Sequence, residues 1–212
     1  MTKFINPFSY SSLFIGLSLF TVCSTALPAP NTSLSSTNTI GLKNFSYKSY
    51  GQEREMVILK SKQGSVNLDS QDINLIGNVE GKFTLDGKTY TLETEGLSSN
   101  FLTQSISSNE KVLFIADGIE IVSSSIEISQ ISKADIKVLF GNANFKKINS
   151  ESSMNIGKAN KIEFFPSEGL IFMEGEAEFY EDNMKIVSDE IHYDVNEDRI
   201  LKSVNAKIIN NL

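Results

Sequence analysis

Apolar and polar residues alternate along most of the chain, and the clearest example lies near the C-terminus. From Met173 to Tyr180, a methionine, a glycine, an alanine and a phenylalanine alternate with three glutamates and a tyrosine. A period of two is typical of a strand with one covered face and one wet face. The polar residues Glu181–Asn183 then have the composition of a turn, and the alternation resumes at Met184. The pattern therefore predicts a hairpin.

A similar unit occurs earlier in the chain. Ile73–Val79 (INLIGNV) matches Ile171–Ala177 (IFMEGEA) in its rhythm, including the glycine. A degenerate middle copy, Ile115–Ile121, has Asp117 where the outer copies have glycine, so its local bend is expected to differ. Repeated short strands bury their apolar faces only by stacking on their neighbours.

The chain is expected to be all-β, because from Phe45 onward no stretch of ten or more residues has good helical periodicity. Turn-forming Gly, Asn, Asp and Ser residues separate the candidate strands at close spacing, which is typical of an antiparallel sandwich, barrel or jelly roll. The predicted strands are 55–60, 64–69, 72–85, 88–97, 111–116, 118–122, 125–130, 134–140, 142–147, 160–165, 170–180, 184–188, 190–195 and 201–209.

The same alternation predicts which side chains point to the interior. They are mainly Ile, Val and Phe, and a slip of one residue in any strand would invert its faces. The inward candidates are Ile73, Leu75, Val79, Phe83, Val112, Phe114, Ile119, Ile121, Ile126, Ile128, Ile136, Val138, Phe140, Phe145, Ile162, Phe164, Met173, Phe179, Ile186, Ile191 and Tyr193.

Length and charge narrow the class of protein. A chain of 212 residues has room for one domain with a substantial core. It has 19 basic and 26 acidic residues, and the basic ones are scattered. Nucleic-acid binding needs clustered Lys and Arg, so no nucleic-acid partner is expected.

The N-terminus has the features of an export signal. Lys3 gives a short positive region, Ser11–Cys23 is apolar, and Ala26 ends a small-residue cleavage site. The apolar run is shorter than the roughly 18–20 residues that span a bilayer. We therefore expect a cleaved signal peptide over residues 1–26, a flexible leader over 27–54 and a β domain over 55–209. Cleavage there would remove Cys23, the only cysteine.

Catalytic and metal-binding patterns are weak. His192 is the only histidine and has no cysteine or ordered carboxylate cluster beside it, so no metal site is expected. Glu174, Glu176 and Glu178 line one strand face and could in principle act as paired carboxylates in a hydrolase. A solvated acidic face is the simpler interpretation. We expect neither an enzyme nor a cofactor.

Three stretches resemble the OstA-like family of lipopolysaccharide-transport proteins, which includes LptA-like and LptC-like components. They are Ile73–Val79, Gly157–Phe164 and the long run Leu170–Ile200. Phe140–Phe145 also resembles the segment before the last repeat of the bridge proteins, and the resemblance covers residues 55–209.

The resemblance implies an incompletely closed, V-shaped antiparallel β-jelly roll in the periplasm. Its interior would hold the acyl chains of lipopolysaccharide, contacted by all the inward candidates except Val112 and Ile191. The chain would bridge inner and outer membrane by head-to-tail strand pairing, with itself and with LptC-like and LptD-like partners. The edges would be the first and last predicted strands, which contribute Val57, Leu59, Val204, Ala206 and Ile208.

Three alternatives remain open at this stage. The chain could be the membrane-anchored LptC-like component, because residues 31–54 are longer than a minimal bridge protein needs. It could be a secreted structural β-repeat protein with a filled core and no lipid cargo. The third alternative is the small hydrolase that uses Glu174 and Glu176.

Overall fold

The alternating residues form long antiparallel strands throughout the structure. In this computed structural model, residues 38–50, 56–85, 87–100, 102–103, 105–130, 136–148, 154–181 and 183–210 are described, and they contain no helix. Within these ranges, fourteen strands make one sheet. They are β1 Thr39–Tyr50, β2 Met56–Asn67, β3 Asp72–Leu85, β4 Lys88–Asn100, β5 Ser105–Ser108, β6 Val112–Ala116, β7 Ile119–Ser123, β8 Ser125–Gln130, β9 Ile136–Ile148, β10 Met154–Phe165, β11 Leu170–Glu181, β12 Met184–Asp194, β13 Arg199–Val204 and β14 Lys207–Asn210.

The long strands bend near their middles, so each contributes to two layers of the folded sheet. In β11, for example, Glu174 pairs with Glu190 and Ala177 pairs with Ser188, which leaves Gly175 and Glu176 opposite a single residue of β12. This β-bulge kinks the strand while keeping its apolar residues on one face. Register shifts also occur in the middles of β2, β3 and β10. We call the line of bends the crease.

Left-handed backbone conformations make the bends possible on alternate strands. Gly77 and Asn78 in β3 have φ of 79° and 48°, and Gly175 and Glu176 in β11 have φ of 75° and 52°. Glycine adopts positive φ without the steric conflict of a Cβ atom, so the repeated glycines are placed where the bend requires them. The two outer copies of the sequence repeat therefore correspond to the two glycine-containing bends, in β3 and β11.

The middle copy of the repeat differs, as expected from its aspartate. Ala116 pairs with Ile119, so Asp117 and Gly118 alone connect β6 to β7. Both residues have positive φ, 47° and 83°, which is the pattern of a type I′ hairpin turn. The chain therefore turns back at this copy, whereas the outer copies continue through a bend.

Buried hydroxyl groups lie along the crease on the other strands. The hydroxyls of Ser61, Thr94, Ser123 and Ser188 each donate to the carbonyl oxygen two residues further on, at 2.7, 3.3, 2.9 and 2.8 Å. A carbonyl that the bend removes from the strand ladder needs such a partner, because an unpaired buried polar group is unfavourable.

The two layers face each other across a shared apolar core. Phe114, on the layer that contains β6, contacts Phe140 and Phe164 on the opposite layer, with ring centroids 5.4 and 6.4 Å apart. In the middle of the molecule, the pairings β4–β5–β8–β9–β7–β6–β4 form a closed circuit of six strands. Outside this circuit, the sheet continues to β1 at one side and to β13 and β14 at the other.

Two predictions about the ends of the domain are wrong. Thr39–Tyr50 fall within the leader expected over 27–54, but they form β1 and pair with β2 along its length. The single strand predicted over 201–209 is two strands, which are separated at Asn205 and Ala206. The predicted signal peptide, residues 1–26, lies outside the described residues.

Replacing Gly175 with alanine is expected to destabilise the fold. The residue would have to hold φ near 75°, and its Cβ would lie 3.2 Å from Nδ2 of Asn160. A left-handed conformation costs a non-glycine residue about 1–2 kcal/mol. The free energy of unfolding in urea should fall by about that amount. Gly41→Ala is the matched control, because a Cβ there meets nothing within 4 Å. Equal stability of the two variants would contradict the role assigned to the bend.

Candidate functional site

The most extensive feature of the molecule is a pair of apolar rows on the inner faces of the two layers. Each row passes from strand to strand through directly paired residues. The first inner row is Tyr47, Leu59, Gly81, Leu92, Phe114, Ile121, Phe145, Gly157, Phe179, Ile186 and Ile208. The second inner row is Ile40, Val66, Ile73, Ser99, Ile106, Ile128, Val138, Phe164, Ile171, Tyr193 and Ile200.

These rows extend across the whole sheet. With neighbouring strands about 4.8 Å apart, eleven successive positions cover about 48 Å. Their residues are nearly all aliphatic or aromatic, so the two rows together form a continuous apolar track from one edge to the other.

The rows are covered in the middle and exposed at both ends. Ile73, Ile121 and Tyr193 are fully buried, whereas Ile40 at one end is 48% exposed and Ile208 at the other is 62% exposed. Leu68, which follows β2, is 57% exposed beside this first end. The inner apolar surface therefore reaches solvent at the two edges of the sheet.

Phe45 partly covers the exposed end of the inner rows on the β1 side of the sheet, which we call the first end. Its ring lies over Gly64, where an added Cβ would come within 2.8 Å of the ring carbons, and only 8% of Phe45 is exposed. Leu42 and Tyr47 on the same strand are half-buried and pack against the core. These residues were not predicted, because residues 31–44 read as a polar leader. The alternation of Ile40, Leu42, Phe45 and Tyr47, shifted once at Asn44, is the signal that could have identified them.

The structure places the predicted inward residues inside. All of those expected to contact acyl chains are buried except Ile136, which is partly buried against the core. Ile73, Phe114, Phe145, Phe164, Phe179 and Tyr193 lie in the two inner rows. Leu75, Val79, Phe83, Ile119, Ile126, Phe140, Ile162 and Met173 are buried beside those rows. Their contact with lipid remains a prediction.

The predicted pairing edges are only partly at edges. Val57 and Leu59 lie on β2, which is paired with β1 on one side and β3 on the other. The physical reason is that β1 forms from the supposed leader and covers this edge. Val204 and Ile208 lie on β13 and β14 at the C-terminal side of the sheet, with Ala206 in the connection between these strands.

The interior is filled by its own side chains. Phe145 and Phe179 contact Tyr193 of the opposite layer at centroid distances of 5.7 and 5.1 Å. A small cavity lies between the layers near Tyr90 and Phe164, but its volume is about 10 Å³. That volume is close to the lower limit for one water molecule, so an acyl chain enters only if the layers separate.

A polar cluster connects the tips of the two layers opposite the crease. Lys147 of β9 donates to Oδ1 of Asp198 at 3.1 Å and to the carbonyl oxygen of Val195 at 2.6 Å. Asn155 Nδ2 donates to Oδ1 of Asp198 at 2.8 Å and to the Tyr193 hydroxyl oxygen at 3.1 Å. We call Lys147, Asn155, Tyr193 and Asp198 the clasp.

The clasp holds Asp198 in its charged form. Burial would raise the pKa of this carboxyl, but hydrogen bonds from Tyr193 and Lys147 outweigh burial and lower the pKa below its usual value. Burial, followed by the hydrogen bond to Asp198, raises the pKa of the Tyr193 hydroxyl. Tyr193 is therefore a neutral donor to a carboxylate at ordinary pH.

The acidic face of β11 lies outside the core. Glu178 accepts hydrogen bonds from Lys185 at 2.8 Å and from Tyr180 at 2.7 Å, and these lower its pKa. A general acid needs a raised pKa, so the carboxyl is unsuited to that role. Glu174 pairs with Lys161, and exposed Glu176 lies at the bulge. This arrangement does not support the hydrolase interpretation.

His192 also lies on the outer surface, as alternation predicted. Its ring stacks on Phe172 with centroids 4.1 Å apart, and Nε2 pairs with Glu190. Across the described part of the chain, no group of three or more His, Cys, Asp and Glu residues could hold a metal ion. The helix-free described ranges also offer no helix that could span a membrane.

Comparison with known proteins agrees with this architecture. The sequence profile of the family described as "Lipopolysaccharide-assembly, LptC-related" matches residues 32–133, just under half of the chain. A solved structure with a similar fold is LptH, the LptA homologous periplasmic component of the conserved lipopolysaccharide transport device from Pseudomonas aeruginosa. The TM-score is 0.51 at 9% identity, and the alignment covers 57% of this chain and 93% of LptH. No curated protein matched the chain in sequence.

The predicted resemblance is confirmed at the level of the transport proteins as a group. Both matches are to Lpt proteins, and the all-β antiparallel fold of this chain is similar to that of an LptA homologue. A role in the lipopolysaccharide transport pathway is supported. The profile match is to the LptC-related family and the structural match is to an LptA homologue, so the two comparisons point to different branches of the group.

Replacing Asp198 with asparagine is expected to weaken the clasp in a pH-dependent way. Because the folded pKa of Asp198 is lowered, its contribution to stability is present above the unfolded pKa near 3.9 and is lost as the pH falls through the folded value. The variant should lose about 1–2 kcal/mol at pH 7, and its stability should decline less steeply than that of the wild type below about pH 5.

The measurement is urea unfolding at a series of pH values between 2 and 7. Glu197→Gln is the control, because that neighbouring side chain is 57% exposed and pairs only with the exposed Arg199 among the described residues. An unchanged pH slope in Asp198→Asn, or the same change in both variants, would contradict the assignment.

Proposed function

We propose that this chain carries lipopolysaccharide, with the acyl chains held against the two inner rows. The observation that supports the proposal is the continuity of the rows, which are buried in the middle and open to solvent at both edges. A covered apolar track with two open ends suits a cargo that enters from one neighbour and leaves to another. The relatives are proteins of this pathway.

The layers would separate from the tips to admit the acyl chains. The crease holds the layers together on one side through continuous strands, so separation on the clasp side gives a V-shaped, incompletely closed jelly roll. Burial of apolar surface contributes about 25 cal/mol per Å². Acyl chains that replace core side chains at the inner rows would therefore keep this apolar surface out of water while the layers are apart.

Assembly would proceed through the two sides of the sheet. The outer edge of β1 and the outer edges of β13 and β14 have no strand partner among the described residues. Strand addition at such an edge supplies main-chain hydrogen bonds and would align the inner rows of successive subunits. Head-to-tail copies, with LptC-like and LptD-like partners at the ends, would then form a bridge between the inner and outer membranes.

The proposed location is the periplasm, after removal of residues 1–26. The alternative within the same pathway is the membrane-anchored LptC-like component, and the profile match over residues 32–133 favours it specifically. N-terminal sequencing of the protein recovered from the cell envelope separates the two: a mature start at Leu27 supports the carrier, and retention of residues 1–26 supports the anchored form.

A structural β-repeat protein would also have a filled interior. The decisive experiment therefore tests whether lipid reaches the inner rows. A photocrosslinking amino acid at Leu42 would lie on the half-buried inner face of β1, near the first open end. We expect it to label lipopolysaccharide, because the inner apolar surface reaches solvent there. Leu42 is preferable to a fully buried core position because the larger side chain can be accommodated.

Lys43 is the matched control for this experiment. It is the next residue on the same strand, so it points to the opposite face, and it is exposed. Labelling at Leu42 alone supports the carrier. Labelling at neither position in folded protein, or equal labelling at both, would reject an inner lipid track and favour the structural repeat.

Head-to-tail pairing predicts a specific contact between copies. In a Cys23→Ser background, Ser46→Cys on β1 and Lys207→Cys on β14 should be joined by a flexible bismaleimide when the two variants are mixed. Both positions are exposed on strands at opposite sides of the sheet. Lys82→Cys is the control, because it is exposed on β3, which is paired on both sides. Equal crosslinking of Lys82→Cys, or only homodimers, would contradict head-to-tail pairing.

A further inference from the structure

One buried polar atom in the described interior has no partner. The Oδ1 atom of Asn155 makes no hydrogen bond within the described residues, and the side chain is fully buried. The orientation of the amide is fixed by chemistry, since Asp198 only accepts hydrogen bonds at ordinary pH and the amide nitrogen must face it. The oxygen is therefore an acceptor without a donor in a mostly apolar interior, which is an unfavourable arrangement.

This acceptor lies on the inner face beside the first inner row. Asn155 is two residues from Gly157 on β10, so both point to the same side of the strand. The space that a Cβ of Gly157 would occupy is filled by the ring of Phe145 and by the sulfur of Met173. Both groups belong to side chains that can change rotamer, and methionine is particularly adaptable. A chain that displaced them would pass close to Asn155.

The charged groups around Oδ1 of Asn155 favour a neutral hydrogen-bond donor as its partner. A cation is disfavoured by the Lys147 ammonium on the paired residue of β9, and an anion is disfavoured by the Asp198 carboxylate beside the same amide. A plain alkyl chain leaves Oδ1 unsatisfied. A hydroxyl group can donate to Oδ1, and its own oxygen can accept from Lys147, which has three N–H groups and uses two of them on Val195 and Asp198.

We propose that Asn155 is a specificity-determining residue that accepts a hydrogen bond from a hydroxyl group carried by an acyl chain. The inference rests on the proposed function, because it requires an acyl chain in the interior. It adds that hydroxylated chains are the preferred cargo. The clasp then has a second role, since it fixes the amide so that its oxygen faces away from Asp198 and is available to the ligand.

The test compares two fatty acids of equal length, tetradecanoic acid and 3-hydroxytetradecanoic acid, as ligands of the full mature chain. Affinities are measured by displacement of a fluorescent fatty acid. The wild type should bind the hydroxylated acid about tenfold more tightly, which corresponds to 1.4 kcal/mol. In Asn155→Leu, which keeps the size and removes the acceptor, the two affinities should be equal.

Tyr193→Phe is the matched control. It removes one hydroxyl from the clasp and leaves Oδ1 of Asn155 in place, so the preference for the hydroxylated acid should persist. A second measurement does not depend on the folding of any variant: the side-chain amide resonances of Asn155 in the wild type should shift with the hydroxylated acid and not with the plain acid.

The outcomes separate this inference from the proposed function. Equal binding of both acids by the wild type would overturn the inference and leave the carrier function intact. A preference that survives in Asn155→Leu would also overturn it. Failure of both acids to bind would overturn the inference, and lipopolysaccharide labelling at Leu42 then decides separately whether the carrier function stands.

Discussion

The bend in the long strands is the constraint on which the rest of the molecule depends. Each long strand has one apolar face, and the two halves of that face meet across the core only because the strand folds over at the crease. A straight strand would leave half of its apolar residues without an opposing layer. The left-handed residues at Gly77 and Gly175, and the hydroxyl–carbonyl bonds of the intervening strands, make this fold-over possible.

The same constraint divides the molecule into a closed middle and two open sides. Six strands pair in a circuit between β4 and β9, so this part has no free strand edge. Beyond the circuit, the layers are joined at the crease, by core contacts such as that between Phe179 and Tyr193, and at the clasp. The hydrogen bonds of the clasp add to the apolar contacts that hold the tips of the two layers together.

The sequence predicted the strands well and their continuity poorly. Alternation correctly placed nearly every inward residue, because burial on one face imposes a strict period of two. Gly141 and Asn142, however, have the composition of a turn, so β9 was predicted as two strands over 134–140 and 142–147. The structure uses Asn142, with φ of 44°, as a bend within one strand. Local composition does not distinguish a bend from a turn, since both need positive φ.

The clasp and β1, which forms the first open end of the inner rows, were missed for different reasons. Lys147 and Asn155 are paired neighbours on β9 and β10, but Asp198 is more than 40 residues away and meets them only because the folded sheet brings the strand tips together. No spacing rule connects them. β1 was missed because its Ser, Thr and Asn residues suggested a polar leader, although its apolar positions alternate. Tertiary pairing with β2 outweighs the composition of this segment.

The order of the strands in the sheet affects how the protein folds. Most pairings join strands that are neighbours in sequence, from β1–β2–β3–β4 at the start to β9–β10–β11–β12–β13 at the end. Contacts of short sequence separation form rapidly, since little loop entropy is lost before they are made. The first four strands can therefore pair before the last four have been synthesised. A β protein of this size would then acquire its structure progressively from the N-terminus, without waiting for its two ends to find each other.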